Sequence, residues 1–387
     1  MNKLTISIAL LSIALTSCEK DPIPNPDGTF PECIELYGTL STPLILTNHV
    51  TDPGVPDYCI SGTYFVQADL VVEPGVFIQM KDDSKIHIRN NGSFNCVGTA
   101  TAATGGKIII KAETANASGQ WDNIHFSTDN MDNQLVHTNI SGGGNDNTYD
   151  GMVYIGHQGR ALIDNCYISL SSSNGIKTES TTSHLGGISV CTIASCGLNP
   201  IQVSSRQVAA IGPSIISGGN GIENIEVRLD QLQSPATWNI PNVPLHISGV
   251  LSINSDLIVK PNVSFLFGPN ARMQVTSNGS LNCIGSNAGS GAITFKGDTD
   301  VPGSWGGIVF LSSLSQENRF EYCHFSYGGS SGTYLGMVTL WTTSNLHISN
   351  SSFSYSEGWG VFNNGGNSTY YNDSSNSWID NAAGDFN

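Results

Sequence analysis

The sequence predicts an all-β chain wound into a parallel β-helix, a solenoid that is built from a duplicated block of coils. The clearest observation is an internal repeat: DLVVEPGV at residues 69–76 returns as DLIVKPNV at 256–263, and NGSFNCVG at 91–98 returns as NGSLNCIG at 278–285. Such a repeat indicates stacked, nearly identical structural units. Composition agrees, because the chain contains 43 Gly and only 12% charged residues, and no segment keeps a helical period of 3.6.

The beginning of the chain predicts a signal peptide at residues 1–17. Lys3 supplies a positive charge, and the apolar run from Leu4 to Leu15 is too short to cross a bilayer as a helix. The run ends in LTSC at residues 15–18, which resembles the lipobox of bacterial lipoproteins. That resemblance implies cleavage before Cys18, acylation of Cys18, and attachment of the mature chain to a membrane through the lipid.

Residues 18–55 are predicted to form a lipidated tether followed by an N-terminal cap. The tether, EKDPIPNPDG at residues 19–28, contains three prolines and several charges that leave nothing to pack. Acidic residues directly after the lipidated Cys resemble the surface-export signal of Bacteroidota lipoproteins, which implies an outer-membrane lipoprotein at the cell surface. Such a compartment is oxidising, so Cys33 and Cys59 are candidates for a disulfide. The remaining cysteines lie in apolar segments and are predicted to be small buried residues: Cys96, Cys166, Cys191, Cys196, Cys283 and Cys323.

The body of the chain divides into a first block at residues 56–240 and a second block, with a C-terminal cap, at 241–387. KIHIR at 85–89 and RMQVT at 272–276 alternate apolar and polar residues, so each strand has one buried and one solvent-facing side. Trp378, Ile379 and Phe386 are the candidates to seal the last coil. The first-block strands are predicted at residues 70–72, 76–80, 85–88, 93–97, 107–111, 124–126 and 134–140.

The spacing of these strands favours a β-helix over a β-sandwich. Three short strands per coil of roughly 20–30 residues suit a solenoid. The sandwich is the rival fold, and its main support is the Asn91-Gly92 dipeptide, which is a two-residue hairpin signal.

Together these motifs resemble the right-handed parallel β-helix proteins of the pectate-lyase-like superfamily, in the form common among Bacteroidota surface lipoproteins. The resemblance covers residues 56–387 and includes the step GQWDNI at 119–124, which returns as GSWGGI at 303–308. It implies the fold. Because enzymes on this fold are mostly polysaccharide lyases and glycoside hydrolases, it also directs attention to their types of active site.

Charge and motifs argue against several functions. The chain has 31 Asp+Glu against 15 Lys+Arg, a formal net charge of −16, so it lacks the basic stripe that nucleic-acid binding needs. No acidic cluster has the Arg or Lys base of a lyase, and none resembles the paired carboxylates of a hydrolase. Five histidines at single strand positions are predicted to lack partners: His87, His125, His157, His246 and His347.

A Gly/Asn-rich loop carries the candidate metal ligands. Asp146 and Asp150 follow three consecutive glycines at 142–144, and their carboxylate oxygens suit Ca²⁺. No other cofactor is predicted, and the other acidic pairs are interpreted as solvated turns.

The second block is richer in aromatic residues than the first. Tyr327, Tyr334, Trp341 and Trp359 lie near Gly/Ser loops and are interpreted as having no aromatic counterpart in the first block. If they are exposed on stacked coils, they form a strip on which sugar rings can stack; the alternative is that they fill the core. The sequence therefore predicts a non-catalytic glycan-binding or adhesive protein of the cell envelope. A polysaccharide lyase or glycoside hydrolase is the alternative, and a passive structural component is the third interpretation.

Overall fold

The computed structural model describes residues 33–387 apart from 51, 101–105, 180–181, 229, 288–290, 330–333 and 365–366. The described chain is a parallel β-helix made of five sheets, which we call A to E. This confirms the predicted fold class. The Asn91-Gly92 turn leads from a strand of sheet B into a strand of sheet C, so it is a corner of the solenoid and not a hairpin. The predicted signal peptide, Cys18 and the tether lie outside the described residues.

The strands are short, and within each sheet they follow one another from coil to coil in chain order. Sheet A contains β1 (Ile34–Leu36), β4 (Tyr58–Ile60), β7 (Phe77–Met80), β10 (Ile108–Ala112), β13 (Thr138–Ser141), β16 (Tyr167–Ser169), β19 (Thr192–Ala194) and β21 (Ile216–Gly218). Sheet B contains β2 (Thr39–Leu40), β5 (Thr63–Val66), β8 (Lys85–Ile88), β11 (Ile124–Phe126), β14 (Gly151–Ile155), β17 (Asn174–Thr178), β20 (Ile201–Ser204), β22 (Ile225–Arg228), β25 (Leu245–Ile247), β28 (Ser264–Phe267), β31 (Ile293–Gly297), β34 (Cys323–Ser326), β37 (Ser352–Ser354) and β40 (Ser377–Ile379). Sheet C contains β3 (Leu44–Leu46), β6 (Asp69–Val72), β9 (Ser93–Val97), β12 (Gln134–Val136), β15 (Arg160–Asp164) and β18 (His184–Ser189).

The other two sheets begin at the end of the first block and continue through the second. Sheet D contains β23 (Gln231–Leu232), β26 (Val250–Ile253), β29 (Arg272–Val275), β32 (Ile308–Phe310), β35 (Gly336–Leu340), β38 (Trp359–Asn363) and β41 (Gly384–Phe386). Sheet E contains β24 (Ala236–Trp238), β27 (Asp256–Val259), β30 (Ser280–Ile284), β33 (Arg319–Glu321), β36 (Asn345–Ser349) and β39 (Thr369–Asn372).

The two blocks are wound alike but are rotated by one face about the solenoid axis. In the first block a coil passes through sheets A, B and C, and in the second it passes through B, D and E. The repeat aligns β7 with β28, β8 with β29 and β9 with β30, so each first-block face is matched by the next face of the second block. The change occurs around the 3₁₀ helix Ser205–Ala210, which follows β20 where a sheet C strand would come. Equivalent residues of the two blocks therefore point in different directions.

One predicted strand is divided in the structure. The segment predicted as a single strand at 134–140 forms β12 in sheet C and β13 in sheet A, because His137 adopts φ 47° and turns the chain between them. A positive φ at a non-glycine residue marks a corner, and asparagines such as Asn90 and Asn165 mark others.

The core runs the length of the solenoid, and its inward rows confirm the predicted buried residues. All six remaining cysteines are buried with free thiols. Trp121 and Trp305 are fully buried, and each indole Nε1 donates to a backbone carbonyl, of Ser141 at 3.0 Å and of Ser326 at 2.9 Å respectively. The tryptophan that recurs in both blocks therefore has the same structural role in each. Within the described part of the chain, no helix is long and apolar enough to span a membrane.

The two ends of the solenoid are finished differently. The segment predicted as a cap contributes β1 to β3, which already form the first coil, and a disulfide joins Cys33 to Cys59 with 5.7 Å between their Cα atoms. At the other end Trp378 stacks on Phe353, with ring centroids 4.8 Å apart. Ile379 and Phe386, the other candidate sealing residues, are 46% and 54% exposed, so Trp378 makes the main closing contact of the three.

Candidate functional site

The four aromatic residues predicted to form a strip fall into separate groups. Tyr327 stacks on Tyr355 of the next coil, with centroids 5.1 Å apart, where the chain turns from sheet B to sheet D. Tyr334 meets Trp341 edge-on at 5.2 Å, and the Arg272 guanidinium lies 5.3 Å from the Tyr334 ring.

Trp359 packs differently from the other three. It opens β38 and lies against Gly384 of the next coil, where an added Cβ would come within 2.6 Å of its ring. The ring contacts of the described residues thus do not assemble the four into one surface.

One part of the aromatic prediction was wrong. The GMV segments at 151–153 and 336–338 are equivalent in the repeat, so Tyr149 is the first-block residue that corresponds to Tyr334. In both blocks this tyrosine lies beside a cation, Lys85 at 4.5 Å from the Tyr149 ring and Arg272 near Tyr334. Tyr334 therefore has an aromatic counterpart and belongs to the shared scaffold.

A groove on the outer face of sheet E offers a concave surface for a ligand. Its volume is about 350 Å³. The strands β36 and β39 supply its floor, and the segment before β33 supplies one wall. It is lined by Ser315, Gln316, Asn318, Asn345, Leu346, His347, Thr369 and Tyr371.

An aromatic pair on adjacent coils dominates the groove. His347 and Tyr371 are directly paired across β36 and β39, and their rings meet edge-on with centroids 4.7 Å apart. Tyr371 is 58% exposed, so its ring is available to a ligand. The same outward row continues to Arg319 and Asn282 on the preceding coils, and Arg319 is paired with Glu321 at 2.9 Å. The groove is thus polar, aromatic and close to neutral.

The amides of the groove divide into structural and available ones. Asn318 accepts from the backbone N–H of Leu281 at 3.0 Å, as Asn133 accepts from Phe94 in the first block, so it belongs to the scaffold. Asn345 uses its Nδ2 to donate to the Leu314 carbonyl at 2.6 Å. Gln316 and the hydroxyls of Ser315 and Thr369 complete the polar rim. An exposed ring next to convergent amides and hydroxyls can stack on a sugar ring and hydrogen-bond its hydroxyls.

Sequence reasoning missed both Tyr371 and His347. A signal was present, because the coils of the first block carry Leu162 and Gly187 at the equivalent paired positions. A tyrosine that replaces a glycine at an outward position is not needed by the coil. To predict that His347 and Tyr371 lie side by side, one must know which residues of adjacent coils are paired. The repeat gives that register only where the loops of the two blocks have the same length.

The predicted calcium ligands both contact lysines. Asp146 pairs with Lys85 at 2.6 Å and also accepts from the backbone N–H groups of Thr148 and Tyr149, which together hold the pKa of its carboxyl below its ordinary value against the opposing effect of burial. Asp150 pairs with Lys177. Among the described residues no group of three or more His, Cys, Asp or Glu is placed to hold a metal ion. Calcium binding stays a prediction, and a cation there would have to displace the lysine ammonium groups.

The prediction that five histidines lack partners was wrong for all five, since even His157 has its Nδ1 2.7 Å from the Thr182 hydroxyl. His246 lies between two carboxylates, with Nδ1 on Glu226 and Nε2 3.0 Å from Asp298. His347 contacts Tyr371, and His87 stacks on His125. Each partner comes from another coil, so none is visible as a local sequence motif.

Comparison of the chain with models of known protein families, with curated proteins and with solved structures found no match. The structure thus establishes a parallel β-helix, and the predicted relationship to the pectate-lyase-like superfamily rests on the sequence motifs.

Proposed function

We propose that the protein is a lipid-anchored β-helix of the cell envelope that binds a glycan in the sheet E groove. The observation that carries the proposal is the exposed Tyr371 ring beside His347, above a groove of about 350 Å³ lined by amides and hydroxyls. The formal charge of −16 favours a neutral glycan, since a polyanion would be repelled unless a metal bridged it.

The anchor is the second part of the proposal. The lipobox-like LTSC at residues 15–18 supports acylation of Cys18, and the proline-rich segment after it would hold the β-helix away from the membrane. Cys18→Ser should abolish labelling by a fatty-acid analogue and release the protein from the membrane fraction. Proteolysis of intact cells would then distinguish surface display from display towards the periplasm.

A binding experiment tests the groove. The chain from Glu19 to Asn387 is passed over a panel of immobilised neutral and acidic polysaccharides, and retained glycans are titrated by calorimetry. Loss of one stacked aromatic contact is worth about 1.4 kcal/mol, so Tyr371→Ala should weaken binding roughly tenfold. Tyr37→Ala is the matched control, because Tyr37 is a 73% exposed tyrosine of the first coil, outside the groove. Equal affinity of Tyr371→Ala and the wild type would refute the groove as the site.

The same panel decides between binding and catalysis. Retention without new reducing ends or unsaturated products, with and without Ca²⁺, supports the binding function. Appearance of such products would support the lyase or hydrolase alternative. Trp341→Ala and Trp359→Ala test whether the aromatic residues predicted from the sequence contribute, and weakened retention in these variants but not in Tyr371→Ala would move the site to sheet D.

A further inference from the structure

Three polar side chains form a compact cluster on the outer face of sheet B, within the first block. His87 in β8 and His125 in β11 are directly paired, and their rings stack with centroids 4.4 Å apart and planes 8° from parallel. Ser127, just after β11, lies against both rings. The cluster lies on sheet B and the groove described above lies on sheet E, so the two are on different sheets of the solenoid.

The serine hydroxyl connects the two imidazoles. Its Oγ is 2.9 Å from His125 Nε2 and 3.1 Å from His87 Nε2. Both rings are neutral at physiological pH: desolvation by burial is the main cause that lowers the pKa of His125 to about 3 and that of His87 to about 4. One hydroxyl carries one proton, so it donates to one ring and accepts the Nε2–H of the other.

The burial of His125 decides which ring donates a hydrogen bond to Ser127 and which ring accepts one. His125 is only 5% exposed, and its Nδ1 is buried without a hydrogen-bond partner in the described structure. A buried N–H without an acceptor is rarer than a buried lone pair without a donor. His125 therefore carries its proton on Nε2 and donates it to Ser127 Oγ, and the serine in turn donates to His87 Nε2.

The surroundings hold His125 in this orientation. Tyr149 and Tyr154 flank its ring with centroids at 4.6 and 4.8 Å. Gly156 leaves room for it, since an added Cβ there would lie 2.5 Å from Nε2. Ser127 itself stays partly exposed, so the hydroxyl is within reach of a small molecule.

The coil does not require any of the three residues. The second block has Gln274, Val309 and Leu311 at the equivalent positions. The backbones match, because Ser127 and Leu311 donate their N–H groups to the equivalent carbonyls of Ile88 and Val275. The same fold is therefore built with and without the cluster, and its chemistry is additional to the scaffold.

We propose that Ser127 is a nucleophile for acyl transfer that hydrolyses small carboxylic esters, with His87 as its base and His125 as the hydrogen-bond donor that orients it. The distance of 3.1 Å between Ser127 Oγ and His87 Nε2 lies within the range found between a nucleophilic serine and its base. The activity is independent of glycan binding in the sheet E groove.

The reaction balances with water as the only co-reactant. Ser127 Oγ bonds to the acyl carbon while its proton passes to His87 Nε2, and the bond to the leaving alcohol breaks as the alcohol takes that proton. Water then attacks the acyl-serine, giving its proton through His87 back to Ser127 Oγ and releasing the carboxylic acid. The sum is ester plus water to acid plus alcohol.

The test uses the whole chain from Glu19 with para-nitrophenyl acetate and a fluorophosphonate label located by peptide mass spectrometry. We expect the label on Ser127, and at least roughly a 100-fold loss of hydrolysis in Ser127→Ala and in His87→Gln, the residue of the second block. Ser352→Ala is the matched control, because Ser352 Oγ lies 2.6 Å from Nδ1 of the exposed His324, and its hydrolysis should equal that of the wild type. Circular dichroism confirms that each variant is folded.

The outcomes separate this inference from the proposed glycan site. Absence of label on Ser127, hydrolysis retained by Ser127→Ala, or a wild-type chain without hydrolysis overturns the nucleophile. The two sites are on different sheets and are tested with different ligands, so a failed glycan experiment leaves the result at Ser127 standing, and the reverse also holds.

Discussion

The two blocks share one backbone plan but fill it with different side chains. Along sheet B the inward row is aliphatic in the first block, for example Ile124, Val153 and Ile176, and becomes a stack of phenylalanines in the second. Phe265, Phe295, Phe325 and Phe353 stack on consecutive coils with centroids 5.0, 4.7 and 4.6 Å apart. The coil thus requires an apolar residue that stacks at the strand spacing, and it accepts either an aliphatic or an aromatic one.

Some positions keep their identity in both blocks because their chemistry is specific. The indoles of Trp121 and Trp305 donate to equivalent carbonyls, and the amide oxygens of Asn133 and Asn318 accept from equivalent strand N–H groups. A buried backbone group without a partner is costly, so these side chains cannot be exchanged for apolar ones. The outer faces show the opposite, because there the blocks differ at the sheet E groove and at the Ser127 cluster.

The largest expected difference between the blocks comes from the phenylalanine stack. Phe325→Ala should lower the free energy of unfolding by about 3–5 kcal/mol, because it opens a cavity and removes the stacking contacts with Phe295 and Phe353. The equivalent first-block change, Ile140→Ala, removes a smaller, fully buried side chain and should cost less. Denaturant unfolding of both variants measures the difference. An equal or larger loss in Ile140→Ala would show that stacking adds nothing to burial.

The repeat made much of this fold predictable and left the sites hidden. Strands, turns and buried cysteines such as Cys96 and Cys283 were predictable because residues of a solenoid contact mainly the next coil, and the repeat gives those neighbours. The division of the predicted 134–140 strand at His137 was not predictable, because a histidine gives no sequence signal for a positive φ. His347 and Tyr371 were missed because their pairing depends on the register between coils, and Tyr334 was misassigned because Tyr149 lies in a loop of different sequence.

Acid should destabilise the first block through its two stacked histidines. Burial lowers the folded-state pKa of His125 and His87 from an ordinary 6.5 to about 3 and about 4. The unfolded chain therefore binds protons first, so this contribution to stability is complete above pH 6.5 and is lost as the pH falls towards 4 and 3. The variant His87→Gln/His125→Val, which carries the second-block residues, should lose less in melting temperature between pH 7 and 4.5. An identical loss in the wild type and the variant would contradict the assignment.

Alkali should act at the junction of the blocks, on His246. Its hydrogen bond to Glu226, together with Asp298 at 3.0 Å, raises its folded-state pKa from 6.5 to about 9. The raised pKa means that the stabilisation is complete below pH 6.5 and is lost as the pH rises through 9. Melting temperatures from pH 6 to 10 should fall more steeply for the wild type than for His246→Gln. Parallel curves would mean that the imidazolium is not held between these carboxylates.

The smallest expected difference is at the shared tryptophan step, where the blocks should respond alike. An added Cβ at Gly143 would lie 2.6 Å from the Trp121 ring, and one at Gly328 would lie 2.5 Å from the Trp305 ring. Neither indole can retreat without giving up its hydrogen bond to the carbonyl of Ser141 or Ser326. Gly143→Ala and Gly328→Ala should therefore each cost about 1–3 kcal/mol in the free energy of unfolding and agree within about 0.5 kcal/mol. If denaturant unfolding shows that one block tolerates the methyl group and the other does not, the tryptophan step is not a common requirement of the coil. The scaffold shared by the two blocks would then no longer include Trp121 and Trp305, although their hydrogen bonds match closely.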